Sequence, residues 1–75
     1  MELKDFIVEF ADQFDDTDPS EITATTAYHE LDEWSSMIAL SVMNVIQKKF
    51  SKSISFDDMK AAVTVEDLFN IVKNK

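Results

Sequence analysis

Seventy-five residues allow one small domain, 1–75, and a chain of that size buries only about 60% of its unfolded surface, which argues against an enclosed active site and so against a self-contained enzyme. Fifteen acidic residues against seven lysines, with no arginine, leave a net charge of −8, which disfavours binding to nucleic acid or an anionic membrane and makes basic proteins the natural partners. No cysteine is present to supply a disulfide or a thiolate metal site, and no stretch approaches the ~20 apolar residues of a membrane span or the basic and apolar pattern of a secretory leader. The expectation is a monomeric, soluble, cytoplasmic protein. Its charge is uneven: residues 1 to 34 carry −10 and residues 35 to 75 carry +2.

In chain order, Leu3, Phe6, Ile7, Phe10 and Phe14 recur at helical spacing and predict a helix over residues 2 to 14, with Glu2 and Asp5 at its positive end. Glu9 and Asp12 are expected to face water. An aromatic stripe of this kind is core rather than a cofactor site. Asp15 to Ser20 then form a polar turn, because Pro19 excludes the helical conformation from its predecessor. The aspartates there do not make a calcium loop: counting from Asp16, the positions that need glycine and a bidentate glutamate hold Glu21 and Ala27. From Asp15 to Trp34 the pattern supports no helix, and a connection this long is functional or tied down. Ile22, Ala27, Tyr28, Leu31 and Trp34 are the expected ties, and His29 a surface or loop-packing residue.

A second helix follows, running to Phe50. Ala39, Val42, Met43, Ile46 and Phe50 form its buried stripe, widened by Ile38 and Val45, and either Ser35 or Ser36 suits its N-cap. Ile54 reads as a buried anchor, and residues 56 to 60 as one short helix beginning near Ser55 with Met59 inward. Thr64 starts a last helix, with Asp67 in the third position making an approximate capping box. Val65, Leu68, Phe69 and Val72 are its buried face, and Lys73 and Lys75 lie at its negative end. Without any glycine, the helix ends must be closed by Asn, Ser and Asp. The fold class is all-α: a small bundle of three main helices plus a short third helix, with a long first loop.

Ser36, followed by Met37 and lying the expected distance before Phe50, resembles the modified serine of the acyl carrier protein family, whose signature is Asp-Ser-Leu at the start of the second helix. Tyr28 matches the family's aromatic eight residues before the serine, and Thr64 to Phe69 resembles the start of its last helix. The resemblance covers nearly the whole chain. It implies a non-catalytic carrier for fatty acid, polyketide or related biosynthesis, with 4′-phosphopantetheine from coenzyme A attached to Ser36 by a phosphopantetheinyl transferase. Acyl-loading and acyl-processing enzymes are the implied partners. The acyl chain of such a carrier folds back between the helices, where Met43, Ile46, Ile54 and Met59 are the candidate lining, though plain core packing suffices for each.

Three features depart from the family pattern. Ser35 stands where the acidic residue precedes the serine, leaving Ser35 as a minor alternative acceptor. The exposed positions of the second helix hold Ser41, Gln47, Lys48 and Lys49 rather than acids, and Leu31 to Trp34 replaces the glycine-containing approach. Partners are therefore expected to read a compact patch of Asp32, Glu33, Trp34, Met37 and Ile38 around Ser36. The competing class is an unmodified acidic helical interaction module.

Overall fold

The computed structural model describes residues 2–75. Among the described residues four α-helices form an all-α bundle: α1 (Leu3–Ala11), α2 (Ser36–Phe50), α3 (Phe56–Ala61) and α4 (Val65–Lys73). Helix α1 packs against α2 and α4, and α3 packs against α4. No helix among the described residues is long and apolar enough to cross a membrane.

Helix α1 ends three residues earlier than its periodicity predicts. Its last turn tightens, with the N–H groups of Gln13 and Phe14 donating to the carbonyls of Phe10 and Ala11 at 3.2 and 3.1 Å. This tighter winding still delivers Phe14 to the core beside Phe6 and Phe10, so the aromatic stripe packs as expected although its last member lies outside the helix. Asp12 faces water, whereas Glu9 is half-buried.

The long connection is tied at more points than its sequence suggests, and it contains two single 3₁₀ turns, Pro19–Glu21 and Tyr28–Glu30. Pro19 opens the first with its fixed φ, and the Asp18 carboxylate accepts from the Ser20 N–H at 2.9 Å. Ile22 and Tyr28 are buried, and Leu31 and Trp34 pack on the core. Ala27 bridges Thr64, while the carbonyls of Thr26 and Ala24 accept from the N–H groups of Val65 and Glu66 at 3.1 and 2.9 Å. The loop thus satisfies two of the unpaired donors that begin α4.

The capping at Thr64 is complete rather than approximate. Asp67 Oδ2 accepts from the Thr64 N–H at 3.0 Å, and Thr64 Oγ1 accepts from the Asp67 N–H at 3.1 Å. Ser55 and Asp58 form the same reciprocal pair at the start of α3. Asp replaces the usual Glu or Gln in both, its shorter side chain still spanning the turn.

Ends without glycine are closed in three different ways. Ser51 follows α2 in the left-handed region, at φ 57° and ψ 35°, a conformation that costs a non-glycine residue about 1–2 kcal/mol. Asn74 Nδ2 donates to the Asn70 carbonyl at 2.9 Å behind α4. Helix α3 is closed from a distance. The Tyr28 hydroxyl donates to the Met59 carbonyl at 2.6 Å, and His29 Nε2 lies 2.9 Å from the same oxygen and 3.2 Å from that of Ala62. Burial, and then the charge of Asp67, push the Tyr28 phenol far above its ordinary range, so it keeps the proton it donates. Tyr28→Phe should cost about 1–2 kcal/mol and lower the melting temperature by at least ~4 °C. An unchanged thermal melt would mean that His29 alone suffices for the end of α3.

Candidate functional site

The start of α2 separates the two serines. Ser35 is extended and is the N-cap, its Oγ accepting from the Ile38 N–H at 3.3 Å and its carbonyl from the Ala39 N–H at 2.9 Å. Ser36 is the first helical residue, is exposed, and takes no part in the cap. Both lie on the rim of a cleft of about 180 Å³ between α2 and α3, walled by Trp34, Ala39, Phe56 and Met59, with His29 and Lys60 beside it. Ala39 faces this space with no more than a methyl group. The clamp of Tyr28 and His29 on the end of α3 sets the opposite wall.

Of the residues expected to line a cleft within the bundle, only Met59 borders this one. Ile46 and Ile54 are core, and Met43 packs half-buried against them. The space lies at the mouth of α2 rather than along its length; farther along the helix, Val42 and Ile46 face Phe6 and Phe10 with no room for a water molecule between them.

The five residues expected to meet partners separate into two groups. Asp32 is exposed, Met37 is 78% exposed, and Ile38 is half-buried. Glu33 and Trp34 instead build the frame. The Glu33 carboxylate accepts from the N–H groups of Asp15 at 2.7 Å, Asp16 at 3.0 Å and Thr17 at 2.9 Å, and from the Thr17 hydroxyl at 2.8 Å. This ties the approach to the serines to the turn after α1. The Trp34 ring stacks on Phe10 and meets Phe14, Tyr28 and His29, with centroid distances from 4.8 to 6.3 Å. Leu40, 53% exposed one turn beyond Met37, adds an apolar contact that the periodic reading passed over. Its signal was an apolar residue off the Ala39, Val42 and Ile46 stripe. Lys60 carried no comparable signal, since a lone lysine on a short helix reads as solvated.

No protein-family model, curated protein or solved structure matches the chain.

Asp16, Glu21, Glu30, Asp32 and Glu33 surround a wider open basin of about 560 Å³ next to the site. Among the described residues no three carboxylates or imidazoles converge to hold a metal ion.

Partial burial pushes the Glu33 carboxyl up, but its donors outweigh this, the Asp15 N–H and Thr17 hydroxyl foremost, and hold it below its usual range. A carboxylate depressed by folding stabilises the fold above its unfolded pKa and loses that contribution as the pH falls through the folded value. Glu33→Gln should therefore melt below the parent at neutral pH, and the gap should close from about pH 4 downward. Circular-dichroism melts across pH test this, and a gap that does not change with pH would overturn it.

Proposed function

We propose that this chain is a non-catalytic carrier of the acyl carrier type, monomeric, with Ser36 as the attachment point of a 4′-phosphopantetheine arm. The observation that supports it is the division of labour between the adjacent serines: Ser35 Oγ is engaged in the N-cap, while Ser36 is exposed on the rim of a cleft with apolar walls. The residues present fit the group. A phosphate ester on Ser36 lies in the first turn of a fifteen-residue helix, where unpaired N–H groups and the helix dipole favour negative charge.

In the attachment step the Ser36 oxygen forms a bond to the pantetheine-side phosphorus of coenzyme A. The pyrophosphate bridge breaks, adenosine 3′,5′-bisphosphate leaves with the bridging oxygen, and the hydroxyl proton passes to a base of the transferase. The arm supplies a terminal thiol that holds an acyl group as a thioester, chemistry for which this cysteine-free chain has no group of its own. Partners meet Asp32, Met37 and Leu40 at the mouth of α2, with Ile38 behind them, while Glu33 and Trp34 hold that surface in place. Acids there steer basic surfaces and set register more than they add affinity.

The competing reading is an unmodified acidic interaction module, favoured by Ser35 at the family's acidic position and by the exposed Met37 and Leu40. Intact mass after co-expression with a broad-specificity phosphopantetheinyl transferase separates the two. A single gain of one phosphopantetheine mapped to Ser36 is the expected result. An unmodified protein after several transferases, or an arm on Ser35, would overturn the Ser36 reading.

A further inference from the structure

The geometry points to Lys60 as the cation that holds the phosphodiester of the arm, and to the cleft it borders as the seat of the branched alkyl segment next to that phosphate. This rests on Ser36 being the attachment point. Whatever is esterified to Ser36 Oγ begins at the rim of the cleft, so the first atoms of the arm are the ones the cleft can receive. A space of about 180 Å³ has room for roughly six groups the size of a water molecule, which suits a compact branched fragment and not an extended acyl chain.

The walls match such a fragment. Trp34, Ala39, Phe56 and Met59 are apolar, and Phe56 remains 45% exposed with its ring at the cleft. Among the described residues Lys60 is the only lysine that lines it. Among the described residues the one ion pair joins Lys75 and Asp58, at 2.9 Å, so Lys60 has no carboxylate partner within ion-pair distance. That is notable on a chain of net charge −8, where acids outnumber lysines two to one. His29 does not compete for the phosphate through Nε2, which sits against the Met59 and Ala62 carbonyls. Lys60 follows Met59 on α3, so the Tyr28 and His29 clamp on the Met59 carbonyl also fixes the stretch of backbone from which its side chain extends. Lys60 is in this sense a positioning residue: it biases the root of the arm toward α3.

The test compares ¹H–¹⁵N spectra of the protein before and after complete loading with phosphopantetheine, with completeness verified by intact mass. In the parent protein, loading should shift the Trp34 indole N–H and the backbone N–H signals of Phe56 to Ala61, in addition to those around Ser36. In Lys60→Gln the shifts on α3 should shrink roughly two- to fivefold, the loss expected for one exposed ion pair. Lys60→Arg should restore them. Lys48→Gln removes the same charge at the far end of α2 and should leave them unchanged. High salt should reduce the α3 shifts in the parent protein and not further in Lys60→Gln. Loading shifts confined to residues 35–38, or full α3 shifts in Lys60→Gln, would overturn the role of Lys60 while leaving Ser36 as the attachment point. Absence of any mass gain would overturn both.

Discussion

Replacing Ser36 with alanine should abolish phosphopantetheine loading completely and leave the melting temperature close to that of the parent, because its hydroxyl takes no part in capping α2. Replacing Ser35 should do the reverse. Ser35 Oγ accepts from the Ile38 N–H, and loss of an N-cap costs about 0.5–2 kcal/mol. Ser35→Ala should therefore melt several degrees lower and still gain one arm. Threonine at position 36 is a sharper probe than alanine, since it retains a hydroxyl at the first helical position but crowds it with a methyl group. Intact mass after co-expression, with circular-dichroism melts of each variant, reads both effects on the same samples. Loading lost in Ser35→Ala and kept in Ser36→Ala would reverse the register of the two serines.

Trp34→Ala should destabilise the fold by about 2–4 kcal/mol, since the half-buried ring contacts Phe10, Phe14, Tyr28 and His29 and its removal leaves a void between α1 and the loop. A domain of this size has only about 4–11 kcal/mol in total, so this one substitution removes a large share of it. Trp34→Phe should recover more than half of the loss. Urea unfolding followed by circular dichroism gives both values. If Trp34→Ala unfolds within about 0.5 kcal/mol of the parent while transferase loading collapses, Trp34 is a partner contact and not part of the frame.

Asp32 and Glu33 are neighbours in sequence but differ in what their replacement would disturb. Reversing Asp32 to lysine probes an exposed charge beside Ser36. Reversing Glu33 together with it would also release the turn at Asp15 to Thr17. A loss of loading in the double variant would then mix docking with unfolding of the loop, and Asp32→Lys alone is the interpretable change.

The helices were legible because their signals are local. The stripe of Ala39, Val42 and Ile46 and the faces of α1 and α4 follow from apolar residues three and four apart, a spacing that brings them together on any helix. Ser55 and Thr64 start α3 and α4 through partners three residues away. The turn of Asp18, Pro19 and Ser20 closes within itself. The serine pair at the start of α2 was legible for the same reason, and the identity of the N-cap was not: either residue satisfies the capping preference, and only the position at which the helix begins gives that role to Ser35.

What the tertiary structure decided depends on side chains that meet across the long loop. Glu33 reaches donors 16 to 18 residues earlier in the chain, and Tyr28 and His29 reach carbonyls 30 to 34 residues later. Periodicity carries no information about such pairs, because their free energy is set by the path of the loop between them and not by neighbouring residues. The sequence by itself therefore determined an all-α chain, its helix faces and a pair of serines at the start of α2. The closing of the loop engaged Glu33 with the turn after α1, packed Trp34 on the core as one of the expected ties, and set α3 across from Ser36. It also brought Lys60 to the cleft beside that serine, since a side chain's environment is fixed only when elements distant in sequence pack together.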